Sequence, residues 1–169
     1  MARTVRLRSW ALFIAPLWVS ACASYAPNAS MVGQSGDQIR VQLGEPGRII
    51  PQERGQVIWV YPRGPYGFHT YFLYFDIHNK LVAYEQVLKS ESFAKIVPGM
   101  TQYEVERHIG PSRIRYVLAR ERGEVHSYRF ETPFCDWFQV EYTPTGVVRA
   151  VGFSVSPECR GGSWDLLEY

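Results

Sequence analysis

One stretch of this chain occurs twice at a fixed distance, and that repetition limits the folds open to it. Gly33-Gln34-Ser35-Gly36-Asp37-Gln38-Ile39-Arg40-Val41-Gln42-Leu43-Gly44 aligns without gaps on Gly99-Met100-Thr101-Gln102-Tyr103-Glu104-Val105-Glu106-Arg107-His108-Ile109-Gly110. Ser35 with Gln38, and Thr101 with Glu104, have capping-box spacing, in which the hydroxyl accepts from the third helical N–H and the Gln or Glu reaches back to the cap. Helices are therefore expected to start twice in the same way. Ile39 and Leu43, like Val105 and Ile109, lie four apart on one helix face, and Gly44 and Gly110 can adopt the left-handed conformation that ends a helix. Pro46 and Pro111 then block continuation.

The correspondence runs on. Glu53-Arg54-Gly55-Gln56-Val57 matches Glu121-Arg122-Gly123-Glu124-Val125 at an offset of 68, each a turn leading into a strand. Phe75-Asp76-Ile77-His78-Asn79-Lys80-Leu81 parallels Tyr142-Thr143-Pro144-Thr145-Gly146-Val147-Val148 at an offset of 67, each a hairpin joining two strands. The reading is an α+β fold of two tandem αβββ repeats, with short helices packed on one face of antiparallel meanders and room for a further short helix after the capped one. Residues 32–95 form the first repeat, 96–159 the second, and 160–169 a C-terminal tail that is either a mobile end or a docking peptide.

Ahead of the repeats, Arg3, Arg6 and Arg8 precede an apolar run from Trp10 to Val19 that is too short to span a bilayer. Residues 1–21 read as a signal peptide. Val19-Ser20-Ala21-Cys22 resembles the lipobox of bacterial lipoproteins, which implies cleavage before Cys22 and attachment there of diacylglycerol and an N-acyl chain such as palmitate. Ala23 stands where an aspartate would favour inner-membrane retention, so the resemblance implies an outer-membrane protein facing the periplasm. Residues 22–31, rich in Ala, Ser, Pro and Asn, read as a lipidated flexible tether.

Charge narrows the partners. The whole chain is formally +2, but without the three arginines of the signal it has 15 basic against 16 acidic residues. A nucleic-acid partner is electrostatically unmotivated. Cys135 and Cys159, left after Cys22 is assigned to lipid, are expected to form a disulfide in an oxidising compartment, two reduced buried thiols being the other reading. His69, His78, His108 and His126 are scattered without ligand spacing, so no metal and no cofactor is expected.

The Pro98-Gly99-Met100-Thr101 start, the spacing to Val105 and the Ile109-Gly110-Pro111 end resemble the signature of small outer-membrane lipoproteins of the BamE (SmpA/OmlA) type. The first half keeps Leu43-Gly44-Glu45-Pro46 but has Gln34-Ser35 in place of Met-Thr. The resemblance implies helices packed on an antiparallel sheet and an accessory role beside barrel-assembly machinery subunits. Family members usually carry one copy of the unit. The tandem arrangement is instead similar to β-lactamase-inhibitor-type proteins, which bind an enzyme across a concave sheet.

Alternation places Phe138, Val140 and Tyr142 on the core face of one strand, with Gln139, Glu141 and Thr143 on the other. Carried through the hairpin alignment, this turns Tyr71, Leu73 and Phe75 inward, as it does Val60, Tyr128 and Phe130. Trp59, Tyr61, Phe72 and Tyr74 are then expected on the helix-free face of the first repeat, as a partner-binding patch unless the tether, a loop or the tail covers it. Pro62–Thr70, dense in turn formers and aromatics, reads as a binding loop or a self-packed connector. No nucleophile elbow, zincin pair or phosphate loop occurs, and Cys135 with His126 as thiol and base competes poorly with the disulfide. The expected function is a non-enzymatic, lipid-anchored periplasmic protein-binding module at the outer membrane, without a small-molecule substrate. The alternative is an inhibitor of a periplasmic or secreted hydrolase.

Overall fold

The computed structural model describes residues 23–120 and 122–159; the signal, Cys22, Glu121 and the tail lie outside the described residues. The first half runs α1 (Gly36–Leu43), β1 (Arg48–Pro51), β2 (Val57–Pro62), β3 (Thr70–Phe75) and β4 (Leu81–Gln86). A one-turn helix α2 (Ser90–Phe93) leads to the second half, α3 (Gln102–Ile109), β5 (Ile114–Leu118), β6 (Gly123–Arg129), β7 (Asp136–Tyr142) and β8 (Val148–Val155). The strands make two four-stranded antiparallel sheets, ordered β1-β2-β3-β4 and β5-β6-β7-β8. Each half is thus αββββ rather than the expected αβββ. The extra strands, β1 and β5, are edge strands, and the further short helix precedes α3 instead of following it.

Both capping boxes form. Gln38 N–H donates to Ser35 Oγ while Ser35 N–H donates to Gln38 Oε1, and Thr101 and Glu104 repeat the pair. Gly44 and Gly110 end the helices at φ 82 and 74, but with ψ near 180°, an extended mirror-image region that is essentially glycine's alone rather than the left-handed helical one. The β3-β4 and β7-β8 hairpins turn at Asn79 (φ 57) and Gly146 (φ 76), and each has a bulge just before its turn.

Sheet 1 is covered on both faces. Met31, Ile39 and Leu43 pack with Trp59, Tyr61, Leu73, Phe75 and Leu81 on one side. Ile50, Ile58, Val60, Phe72 and Val87 form a second cluster. That second face meets α3: a Cβ at Gly110 would stand 2.8 Å from Thr70 Cγ2 and 3.2 Å from Val60 Cγ1, and Arg107 reaches Gln52. Helix α3 also packs Val105 and Ile109 onto sheet 2, against Tyr128, Phe138, Val140, Tyr142 and Val148. The order of layers is α1, sheet 1, α3, sheet 2. Glu106 of α3, 4 % exposed, is ion-paired with Arg48 of β1 and accepts from Gln102 Nε2 at 2.7 Å.

Two expectations are corrected here. The stretch read as a flexible tether is fastened from Ser24 onward: Ser24 N–H donates to Gln42 O, Asn28 caps a 3-10 turn at Ala29–Met31, and Met31 is buried in the core. Its composition lacks periodicity, yet one methionine and a few backbone bonds suffice to fix it. The second correction is in β2. Trp59 pairs with Leu73 and Tyr61 with Tyr71, so both face α1 and are 3 % and 1 % exposed, while Val60 faces α3.

Candidate binding surface

The four aromatics expected to form an open patch do not. Trp59 lies under α1 with the Arg40 guanidinium 4.3 Å from its ring, and Tyr61 donates its hydroxyl to Gly44 O at 3.0 Å. Burial and the nearby Glu45 push the Tyr61 phenol up to about 12. Phe72 faces α3 and is 2 % exposed. Tyr74 is half-buried beside the second cluster and bonded through its hydroxyl to Glu85. The structure therefore brings Trp59 and Tyr61 together on one face and Phe72 and Tyr74 on the other, and covers the first three.

The loop from Pro62 to Thr70 packs into the seam between the halves, while Pro65, Tyr66 and Phe68 at its tip stay exposed. Arg129 donates to Pro65 O and Tyr66 O at 3.0 and 2.9 Å, its guanidinium lies 4.4 Å from the Phe68 ring, and His69 Nε2 is 3.2 Å from Glu131 Oε1.

An open surface does exist, on the second half. Val151, Phe153 and Val155 of β8 pair with Val140, Phe138 and Asp136, which places them on the helix side of sheet 2, yet they remain 36 %, 56 % and 48 % exposed. Phe153 lies 5.8 Å from Phe130, and together with Pro133 and Phe134 they line a shallow aromatic groove with Glu131, Asp136 and Ser90 on its rim. The Cys135–Cys159 disulfide, with Cα atoms 6.3 Å apart, stands behind this groove, and Ser156 N–H donates to Cys135 O at 2.8 Å. Strand β8 is an edge, and among the described residues nothing pairs with its outer side from Ala150 to Val155. A long apolar edge of this kind is a template for another strand. Sequence reading missed it because β8 alternates weakly and its apolar residues look like core.

A second feature is polar. His126 occupies in β6 the position that Trp59 has in β2, and it packs on Tyr142 at 4.6 Å as Trp59 packs on Phe75 at 4.3 Å. His126 Nε2 is 3.1 Å from Glu124 Oε2, whereas His126 Nδ1 and the Tyr142 hydroxyl are buried without a hydrogen-bond partner among the described residues. Burial pushes the imidazole down and the Tyr142 phenol up. Cys135 is oxidised, so it supplies no thiolate for His126 to activate. Among the described residues no group of three or more His, Cys, Asp or Glu could hold a metal ion, and no helix is long and apolar enough to cross a membrane.

What the fold defines is a class: an α+β protein of two four-stranded antiparallel sheets, each preceded by a short capped helix. No family model and no curated protein sequence matches the chain. Among solved structures it is similar to an extracellular protein containing an SCP domain from Bacillus anthracis str. Ames, at 14 % identity and a TM-score of 0.31 over 92 % of this chain. The chain spans half the length of that protein. It is also similar to a "putative beta-lactamase inhibitor protein" from Streptococcus mutans, at 10 % identity and a TM-score of 0.33, covering 78 % of this chain and 89 % of that one. A DUF4309 family protein from Bacillus subtilis subsp. subtilis str. 168 follows at 10 % identity and a TM-score of 0.29, covering 72 % of this chain and 78 % of that one. Superpositions this loose do not bear on what the chain does.

Proposed function

We propose that this chain is a non-catalytic, lipid-anchored module that binds a protein partner at the periplasmic face of the outer membrane. The anchor rests on the lipobox-like Val19-Ser20-Ala21-Cys22, and the kinship with the BamE type rests on the capped-helix motif at Pro98–Pro111. The observation that carries the binding role is the apolar edge of β8, unpaired among the described residues, beside the Phe130–Phe134–Phe153 groove. Strand addition to such an edge supplies main-chain hydrogen bonds, while pockets beside it select side chains. Glu131 and Asp136 on the rim favour a partner segment carrying Lys or Arg.

A photoactivatable amino acid placed at Phe153, at Phe134 and, as a control, at the exposed Val41 of α1 tests this in intact cells. Crosslinks from positions 153 and 134 to one protein, absent from 41 and abolished by an added Glu131→Lys, are expected. Barrel-assembly subunits as the captured species support the assembly role, and a single hydrolase supports inhibition. Equal crosslinking from all three positions would overturn the assignment of this edge.

A further inference from the structure

The folded body begins almost at the cysteine read as the lipid site. Ser24, two residues on, donates its N–H to Gln42 O and accepts from Arg63 Nη2 at 3.1 Å. Tyr25 stands edge-on to His69 and Tyr71, its hydroxyl is 2.9 Å from His69 Nδ1, and the Arg63 guanidinium is 5.6 Å from its ring. It also abuts the loop tip, since a Cβ at Gly67 would meet the Tyr25 hydroxyl at 2.6 Å. The leash is Ala23 alone. Three trans peptides span at most about 11 Å between the Cα atoms of Cys22 and Tyr25.

Lipid rooted at Cys22 would therefore hold the loop from Pro62 to Thr70 against the leaflet, within a distance comparable to the headgroup layer. The residues presented there suit that layer. Tyr66 is 86 % exposed, Tyr25 48 % and Phe68 40 %, and the loop contains no carboxylate. Arg113, exposed and without a carboxylate partner among the described residues, lies against Gly64. Tyrosine, with an apolar ring and a polar tip, is enriched at membrane interfaces. The Arg129 clamp from the second half holds the loop from behind, so Tyr66 is displayed without further ordering. The nearby carboxylates are paired or lie aside: Glu131 Oε1 is 3.2 Å from His69 Nε2, Glu158 Oε2 is 2.9 Å from Arg129 Nη2, and Asp136 lines the neighbouring groove.

We propose that the tip of the loop Pro62–Thr70, together with Tyr25, is a bilayer-docking surface, with Tyr66 entering the interfacial layer of the leaflet that carries the Cys22 lipid. The inference rests on Cys22 being the lipid site. It goes further in fixing how the body is oriented, with the seam loop down and the β8 groove beside the membrane, since His69 of the loop contacts Glu131 of the groove.

The test uses the full chain, exported with its own signal, extracted from membranes and reconstituted into phosphatidylethanolamine–phosphatidylglycerol vesicles with brominated acyl chains. Mass spectrometry of the N-terminal peptide first establishes whether Cys22 carries lipid. Tyr66→Trp then reports the loop, and Val117→Trp, an exposed position towards the other end of β5, reports a surface away from it, each read against the parent emission. Loss of Tyr66→Trp emission with Val117→Trp unaffected is expected. Lipid on Cys22 with Tyr66→Trp unquenched, or both variants quenched equally, overturns the docking surface while leaving the anchor standing. An unmodified Cys22 overturns the anchor, and the inference falls with it.

Discussion

The two halves differ in chemistry at one buried pair of equivalent residues, Trp59 and His126. The indole fills its place so fully that a Cβ on Gly36 would stand 2.7 Å from Trp59 Cη2, whereas the smaller imidazole leaves its Nδ1 and the Tyr142 hydroxyl without a partner among the described residues. Desolvation holds the His126 pKa below the ordinary 6.5; its hydrogen bond to the Glu124 carboxylate opposes this and Arg115 adds to it. The unfolded chain therefore takes up this proton first. Above pH 6.5 the group is neutral in both states and contributes nothing; as pH falls from 6.5 toward the lower folded value, the unfolded state binds more protons and stability is lost. His108, depressed by burial with Lys95 and Arg107 nearby, adds a loss of the same sign. Thermal melting between pH 7.5 and 5.5 should show stability falling with acid, and His126→Phe should remove part of that slope while His108 keeps the rest. Identical slopes in parent and variant would mean that His126 is not held neutral by the fold.

Each of the two capped helices, α1 and α3, is tied to its sheet by one repeated device, a tyrosine that caps the end of the helix. Tyr61 donates to Gly44 O at 3.0 Å and Tyr128 to Gly110 O at 3.2 Å, the same bond in both halves. Tyr61→Phe and Tyr128→Phe should each lower unfolding free energy by about 1 kcal/mol in urea titrations, the ordinary net worth of such a bond. A loss confined to one half would show that the equivalence is sequence likeness only. This pair also explains where the sequence could be read and where it could not. Capping boxes, glycine stops and hairpin turns are local chemistry, and all were legible. The strand that carries Tyr61 was not, because the Glu-Arg-Gly turns align at an offset of 68 while the strands after them pair at 67: Gln56 separates Gly55 from β2, but Gly123 is itself the first residue of β6. A slip of one residue moves a whole strand face to the other side, and it turned Trp59 and Tyr61 outward. Strands β1 and β5 escaped notice for a related reason. They are short edges, β1 ends in Pro51, and edge strands tolerate proline and charge that would argue against a central one.

Across the whole molecule, α3 is the element that makes two repeats one body, and its sequence conceals the role. Val105 and Ile109 mark a face for sheet 2, but the face toward sheet 1 carries Glu106, Arg107 and Gly110, residues that read as solvated. Glu106 is buried because Arg48 comes to it from the other half and Gln102 donates to its second oxygen. A buried pair of this kind contributes little net stability relative to apolar replacements, yet removing one partner strands the other charge, at a cost of about 3–5 kcal/mol. Arg48 remains about a third exposed, so the lower end of that range applies. Arg48→Leu should destabilise the chain strongly at pH 7, and Arg48→Leu with Glu106→Leu should recover most of the loss. The coupling between the two substitutions, measured by urea denaturation as a double-mutant cycle, is the relevant quantity. If the halves are one cooperative unit, the parent unfolds in a single transition and Arg48→Leu shifts that whole transition. Two separable transitions in the parent, or additive effects of the two substitutions, would instead mean that each half stands alone and that α3 belongs to sheet 2 only.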